Sequence, residues 1–251
     1  MPIKNTVFAQ IMSFIDHKEF NKCVKKYHGN QYIKDFSCYD QFLCMLFSQL
    51  ASKKSLRATV LSLNFMKRKL YHMGFYCKNV FLNTLSNANQ KRNWRIFFDY
   101  AQSLITRAQK LYVNEISDLE LVNNIYAFDS TTIDLCLNVF GWANFRSTKA
   151  GIKLHTLLDI KTNIPSFIDV TDAATADVKK LDDLIIEPNA IYVIDRAYLD
   201  FSRLWRMNFS GAFFVIRQKS NTSLRRIYSH AIDKSIGLKC DQTVMLCSKK
   251  A

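Results

Sequence analysis

Hydrophobic positions recur at helical spacing through the first 115 residues. The segment from Asn93 to Val113 is the longest helix candidate, and Asp40 and Ser55 stand where helices could start. Apolar residues three or four positions apart indicate helices with one buried face. Three such sets occur: Val7, Ile11, Phe14 and Ile15; Phe42, Leu43, Leu46, Phe47 and Leu50; and Trp94, Phe97, Phe98, Ala101, Leu104 and Ile105.

The hydrophobic pattern changes near residue 116. From there the apolar runs are short and rich in β-branched and aromatic residues, at 122–128, 131–137, 152–160, 164–170, 190–194 and 212–217. Short helices are expected around 177–186 and 199–208. Strands followed by a strand–helix–strand order indicate a mixed α/β sheet. The sequence therefore predicts an α/β protein with a helical domain over residues 1–116 and a sheet domain over residues 117–251.

Charge separates the two regions further. The net charge is +14, and residues 1–115 carry 18 Lys and Arg against 6 Asp and Glu, whereas the remainder carries 17 against 15. Such a basic balance indicates a polyanionic partner, either nucleic acid or an acidic membrane surface. Each basic cluster alone fits a solvated helix face, but their sum, with aromatics interleaved, predicts contact with DNA phosphates. The candidate DNA-binding residues are Lys53, Lys54, Arg57, Lys67, Arg68, Lys69, Lys91, Arg92 and Arg95.

Cysteine usage and hydropathy exclude several classes of protein. The seven cysteines are odd in number and form no C-x-x-C pair, which argues against a zinc site and a disulfide framework. No apolar run reaches the roughly 18 residues of a membrane span. Residues 1–5 lack the apolar core of a signal peptide. We therefore expect a cytoplasmic, nucleoid-associated protein with free thiols and no membrane partner.

Two acidic residues stand at the ends of predicted buried strands. Asp129 lies in the stretch Tyr126–Ile133, and Asp195 lies 66 positions later in the stretch Ala190–Tyr198. Charges are rare in buried strands because their desolvation is costly. Either acid alone could equally be a turn or cap residue. If the strands are neighbours, however, the pair offers the oxygen ligands that Mg²⁺ prefers, and metal-assisted phosphoryl chemistry on nucleic acid is the natural use of such a site.

Residues beside these acids allow both functional and structural readings. Arg196 and Tyr198 follow the second acid and could touch DNA, or Tyr198 could pack while Arg196 is exposed. His155 lies in an alternating strand, where a structural role is the more common one.

The other charged residues of the predicted sheet are weaker candidates. Three basic residues near one strand could contact phosphate or be solvated, namely Arg146, Lys149 and Lys153. Four acids are expected to be turn or supporting residues: Asp134, Asp159, Asp169 and Asp172.

These motifs, taken in order, resemble those of bacterial DDE transposases of the insertion-sequence-four type. The first acid of that family stands in a strand before Ser or Thr, as in Phe128–Thr131, and the second stands in a D-R-[GA]-Y box, as in Asp195–Tyr198. The stretches Ala88–Arg95, Phe213–Asn221 and Gly237–Val244 are also similar to the family, the last to the start of a β-rich insertion. The likeness spans nearly the whole chain.

The resemblance implies an RNase H-like fold that binds two divalent ions, Mg²⁺ or Mn²⁺. It implies activation of water and then of a DNA 3′-hydroxyl for attack on phosphodiesters, so that a mobile element is excised and inserted. Asp129 and Asp195 would be the catalytic metal ligands. The helical region would recognise double-stranded DNA at the terminal inverted repeats, and a homodimer is compatible with this role.

One family feature is missing from the sequence. The third family acid is a Glu within a Y-x₂-R-x₃-E-x₆-K signature, and no Glu follows Glu187 here. We therefore expect a C-terminally shortened transposase that binds DNA but does not complete strand transfer alone. Two alternatives stay open: a non-catalytic DNA-binding regulator of transposition, and a stand-alone nuclease in which Asp159 or Asp172 completes the site.

Overall fold

The computed structural model describes residues 6–112, 123–135, 144–146 and 149–247. The chain forms two compact units, Met1–Lys110 and Leu111–Ala251. The predicted boundary between residues 116 and 117 lies outside the described residues. Each unit has its own hydrophobic core.

The N-terminal unit is helical, as predicted. Ser55 caps one helix by accepting a hydrogen bond from the Ala58 amide (3.1 Å), and Ser37 and Asp40 form a capping box at the start of another. Single 3-10 turns cover Lys67–Lys69 and Tyr71–Met73. The helices are α1 (Val7–Met12), α2 (His17–Lys26), α3 (Cys38–Leu50), α4 (Leu56–Phe65), α5 (Leu82–Lys91) and α6 (Arg95–Tyr112).

Helix α1 buries a different face from the one that its apolar spacing predicted. Phe8 and Met12 are buried, whereas Val7 and Phe14 are each 72% exposed. The Phe8 ring meets Phe47 of α3 edge to face at 5.7 Å. This contact and the burial of Met12 set the inward face of the short helix, which has too few turns for periodicity to select that face.

The described part of the second unit contains a mixed sheet of six strands. They are β1 (Ile125–Leu135), β2 (Asn144–Arg146), β3 (Lys149–Asp159), β4 (Ile164–Asp172), β5 (Ile191–Ile194) and β6 (Phe213–Ile216). Strands β2, β1 and β4 pair antiparallel with β3, whereas β5 pairs parallel with both β1 and β6. The α/β prediction is confirmed, and the arrangement is consistent with the RNase H-like expectation.

Several predicted boundaries change. The separate strands expected at 122–128 and 131–137 form one strand, β1, because the intervening Asp129 and Ser130 keep pairing with β3. The helix expected around 177–186 is a 3-10 helix over Asp177–Asp183, and the next is α7 (Phe201–Phe209). Strands β7 (Leu224–Ser229) and β8 (Gln242–Leu246) form a separate hairpin.

Two negative findings concern the described residues alone. None of their helices is both long and apolar enough to cross a membrane. Their cysteines are free thiols, of which Cys23, Cys38, Cys44 and Cys77 are buried in the helical unit.

Candidate active site

Asp129, within β1, and Asp195, directly after β5, lie side by side on two neighbouring strands. Strands β1 and β5 pair in parallel, with Phe128 opposite Ile194. Each acid follows the last residue of this register by one position. Neighbouring strands are about 4.8 Å apart, so the two carboxylates reach the same volume of space. The sequence predicted both positions, and the topology brings them together.

The two acids point away from the core of the second unit. Phe128 and Ile194 are buried on one face, and side chains alternate along a strand, so Asp129 and Asp195 belong to the opposite face. That face is open: Val193, in register with Ala127, is 37% exposed, and Val215 of β6 is 58% exposed. Both carboxylates are themselves exposed. The site can therefore admit a large substrate and lies next to an uncovered apolar surface.

A third acid, Asp177, lies close to this pair on the buried side of the sheet. Its Oδ1 accepts a hydrogen bond from the Ser130 hydroxyl at 3.0 Å and pairs with Lys153 Nζ at 3.1 Å. Lys153 also donates to the Thr175 carbonyl at 2.9 Å, and its side chain is only 12% exposed. Lys153 is thus an internal ion-pair partner rather than the phosphate contact or solvated lysine considered from the sequence.

Buried aromatic groups form the layer beneath the acids. Tyr198 is 1% exposed, and its ring packs against Phe128 with 5.1 Å between centroids. Burial raises the pKa of the Tyr198 phenol to about 12, and nearby carboxylates including Asp129 and Asp195 act in the same direction. The expectation that Tyr198 contacts DNA is therefore corrected: its ring supports the site from below. Arg196 is exposed, so a DNA contact for it stays a prediction.

His155 also belongs to this buried layer. It lies opposite Ser130 in the β1–β3 register, is fully buried, and stacks on Phe128 with 6.4 Å between centroids. Its Nε2 is 2.9 Å from the Thr171 hydroxyl. Burial lowers the pKa of the imidazole, which favours the neutral ring. His155 is thus a packing residue behind the acids.

The remaining sheet acids form turns and surface ion pairs. Asp159 accepts from the Lys161 amide at 2.9 Å, and Asp172 accepts from the Thr175 amide and hydroxyl, each at 2.7 Å. These hydrogen bonds hold the pKa of Asp172 below its ordinary value. Asp169 pairs with Lys180 at 2.6 Å. Neither Asp159 nor Asp172 therefore completes the site, and the side chains of Asp134, Arg146 and Lys149 lie outside the described residues.

Glu187 lies at the opposite end of the strands. Its carboxylate accepts hydrogen bonds from Asn124 and from the Tyr126 hydroxyl, each at 2.7 Å. Asp129 is five residues beyond Asn124, a distance of roughly 16 Å at the usual rise of a strand. Glu187 therefore does not serve as a third acid for the pair.

The donor set at the pair suits a hard divalent cation. Mg²⁺ is commonly held by one or two carboxylates, with water and substrate phosphate completing its shell. Asp129 and Asp195 meet that requirement. Within the described ranges, no group of three or more His, Cys, Asp or Glu side chains is arranged to hold a metal. Two carboxylates are therefore what this part of the chain provides.

The candidate DNA-binding residues of the helical unit differ in their availability. Most are exposed: Lys54, Arg57, Lys67, Arg68, Lys69, Lys91 and Arg95. Lys53 is half-buried. The expectation that Arg92 contacts DNA is corrected. Its guanidinium donates to the Ser37 carbonyl (2.8 Å), to Gln41 (3.0 Å) and to the Phe36 carbonyl. Its donors are directed to the protein, so it holds α5 against the loop before α3.

Two family models match the sequence in separate regions. Residues 121–244 match the transposase DDE domain. Residues 3–76 match a domain of unknown function, DUF4372. The first match contains both Asp129 and Asp195, and the second lies within the helical unit.

Two relatives each match about half of this chain. A putative transposase, y4zB, from Sinorhizobium fredii is 33% identical over 125 residues, which cover 48% of this chain and 35% of that protein. A probable transposase for insertion sequence element IS5377 from Geobacillus stearothermophilus is 28% identical over 124 residues, which cover 49% of this chain and 33% of that protein. The chain thus matches about a third of each relative's length. Both relatives carry transposase names, and the model that matches residues 121–244 describes a transposase DDE domain.

Proposed function

We propose that this chain acts as a DDE transposase of the insertion-sequence-four type, with Asp129 and Asp195 as the ligands of a catalytic divalent ion. The supporting observation is the parallel β1–β5 register, which sets the two acids next to each other. When bound, Mg²⁺ or Mn²⁺ would neutralise charge on the phosphodiester and favour its attack by water or a DNA 3′-hydroxyl.

The protein's own groups would position this site. The Ser130 hydroxyl is fixed by Asp177, and Asp177 is fixed by Lys153, so the part of β1 directly after Asp129 is held in place. Tyr198 fills the space beneath both acids and keeps water out of the layer behind them. This support would hold the backbone that carries the two carboxylates, which matters because small displacements of catalytic groups are costly in rate.

A third carboxylate would have to approach from the open face of the sheet. Asp129 and Asp195 belong to the face on which Val193 and Val215 are exposed. In the 251 residues, no Glu follows Glu187. We therefore propose that these 251 residues bind DNA without completing strand transfer, and that an element carrying a Glu and packing on the open face would restore it.

The helical unit would supply DNA binding. Its exposed basic residues suit the phosphates of double-stranded DNA at the terminal inverted repeats of the element. Acting on chromosomal DNA would place the protein in the cytoplasm at the nucleoid, and its action could involve a homodimer.

Metal binding by the two acids can be tested without turnover. Mn²⁺ binding to the full chain can be measured by electron paramagnetic resonance, in the wild type and in Asp129→Asn and Asp195→Asn. We expect each variant to lose most of the affinity. The exposed control Asp233→Asn, whose carboxylate only caps a 3-10 turn, should bind as the wild type does. Equal binding by all four proteins would contradict the proposed site.

Strand transfer tests the remaining part of the proposal. A labelled end of an insertion sequence is incubated with target DNA and Mg²⁺, with the 251-residue chain alone. We expect DNA binding but no joined product. Joined product that disappears in Asp129→Asn would show that this polypeptide already has a complete active site.

A second candidate function is a non-catalytic DNA-binding regulator of transposition. It is favoured by the basic helical unit, which has its own core beside a site with two described carboxylates. A regulator would compete with an active transposase for element ends and would still do so as Asp129→Asn. Competition that requires Asp129 would argue against this candidate.

A further inference from the structure

We infer that a groove in the helical unit binds single-stranded DNA, with phosphates on its lysines and bases on its tyrosines. The groove has a volume of about 1000 Å³ and lies between the loop 27–36, the segment 76–81 and the end of α5. We call it the tyrosine groove. The inference rests on the proposed function, because it adds an unpaired DNA strand in this groove to the double-stranded DNA proposed for the exposed basic residues of the helical unit.

The charges lining the tyrosine groove favour an anion. Lys34, Lys78 and Lys91 are exposed, and Asp35 is the acid that accompanies them on the lining. Within the described residues, none of these three lysines forms an ion pair. Arg92 adds positive charge to the floor, although its donors are directed inward. Three unpaired ammonium groups along one groove suit successive phosphates of a DNA strand.

Two tyrosine rings are largely exposed in the same groove, although the Tyr76 ring also lies 6.1 Å from that of Tyr39. Tyr32 is 94% exposed and Tyr76 is 73% exposed. Tyr32 has a φ of 60° and His28 a φ of 52°, a region that residues other than glycine seldom occupy. A large ring held in solvent on a strained loop gains nothing from packing, and such strain is concentrated at functional sites. A base stacked on the ring would give it a partner, since every base has a face that can stack.

The walls of the groove are fixed by one buried carboxylate. Asp40 is fully buried, and its Oδ2 accepts from the Ser37 amide (3.0 Å) and hydroxyl (2.6 Å) on one side of the groove. Its Oδ1 accepts from the Tyr76 and Cys77 amides, at 2.8 and 3.2 Å, on the other side. The segment that carries Tyr76 is therefore tied directly to the start of α3. A groove with both walls held in place binds with less loss of conformational freedom.

These features favour a single strand over a duplex. In a duplex the base faces are stacked on one another, so exposed tyrosine rings have no face to meet. Lysines alone would serve either form of DNA, because phosphate contacts do not depend on base pairing. The lysines and the two exposed rings together in one groove suit unpaired bases.

Fluorescence anisotropy of the full chain tests the role of the rings. The probes are a labelled mixed-sequence oligonucleotide of about 12 nucleotides, in the range that single-strand binding modules cover, and its duplex. We expect Tyr32→Ala to lose about fivefold or more in single-strand affinity, the effect of one stacked base, with little change for the duplex. Tyr32→Phe keeps the ring and should bind as the wild type does. The control Tyr71→Ala removes a tyrosine that is 83% exposed but lies outside the groove, and it should have no effect.

The lysines are tested by salt dependence. Lys34→Gln combined with Lys78→Gln should reduce the slope of log affinity against log salt by about 1.4, because each single-strand phosphate contact contributes about 0.7. Lys18→Gln combined with Lys25→Gln removes the same charge from exposed positions on α2 and should leave the slope unchanged.

The outcomes separate this inference from the proposed function. If the wild type binds duplex DNA in a salt-dependent manner, but Tyr32→Ala and the Lys34–Lys78 variant match their controls, the tyrosine groove is overturned and the proposed function stands. If the wild type binds neither form of DNA, both are overturned. Circular dichroism of each variant establishes that the fold is intact.

Discussion

His155 shows how burial fixes the chemistry of a single residue. The Thr171 hydroxyl lies 3.1 Å from the Asp172 carbonyl, to which it donates, so its oxygen accepts from Nε2–H of His155. Among the described residues, Nδ1 of this buried ring has no partner. Because burial lowers the pKa of His155, the unfolded chain takes up a proton near pH 6.5 that the folded chain resists. This residue therefore costs stability as pH falls below about 6.5 and has no such effect at higher pH.

We predict that His155→Gln makes the second unit less sensitive to acid. Denaturant unfolding at about pH 7.5 and about pH 5.5 spans the ordinary pKa of histidine. The wild type should lose more free energy of unfolding between these conditions than the variant, whose amide can still donate to Thr171. The exposed control His230→Gln should follow the wild type. Parallel pH profiles for wild type and His155→Gln would show that the ring titrates normally in the folded state.

The contact between Asp177 and Lys153 gives a second prediction for single residues. Asp177→Asn should lower the free energy of unfolding by about 1–3 kcal/mol, because Lys153, which is 12% exposed, would lose its charged partner. Asp129→Asn, at an exposed position, should change it by less than about 0.5 kcal/mol. Adding Lys153→Met to Asp177→Asn should recover part of the loss, as denaturant titrations can show. If the free energy of unfolding does not recover, the loss in Asp177→Asn is not caused by the unpaired charge of Lys153.

Residues that end an apolar run in the sequence were more predictable than residues defined by their contacts. Asp129 and Asp195 could be identified because each ends an apolar, β-prone run. Asp177 was missed, since it opens a 3-10 helix among other acids and nothing local distinguishes it. Arg92 and Tyr198 were assigned to DNA because sequence does not reveal where a guanidinium donates or which side of a ring is covered.

At the scale of secondary-structure elements, the capping box of α3 gives a prediction about the stability of the helical unit. Asp40→Ala should lower its free energy of unfolding by about 3 kcal/mol or more, because it leaves the amides of Ser37, Tyr76 and Cys77 without their acceptor. Ser55→Ala removes only the cap of α4 and should cost about 1 kcal/mol. Thermal unfolding followed by circular dichroism compares the two. Equal losses would mean that Asp40 acts as an ordinary cap.

The predicted elements were most accurate where periodicity was long. Helix α6 spans Arg95–Tyr112 within the predicted 93–113, because 18 residues give several turns for one face to emerge. Helix α1, with six residues, has too few. The sequence predicts two strands here because Asp129 and Ser130 interrupt the apolar run, and only the long-range pairing with β3 shows that they continue the strand.

For the whole molecule, the separate cores of the two units predict two unfolding transitions, and their unequal charge predicts that DNA shifts the two transitions differently. One core lies within the helical unit and the other within the sheet unit, so two unfolding transitions are expected. Leu43→Ala and Met207→Ala, each removing a fully buried side chain, should each lower one transition by about 2–5 kcal/mol and so assign it.

DNA should then raise the transition of the helical unit alone, because that unit carries most of the excess positive charge. A ligand that binds only the folded state stabilises it by about 2.7 kcal/mol at a hundredfold excess over Kd. Calorimetry with and without DNA measures both transitions in one scan, and high salt should remove the shift, because phosphate contacts weaken as counterions compete. A rise in the transition that Met207→Ala marks would instead place the main DNA contact on the sheet unit.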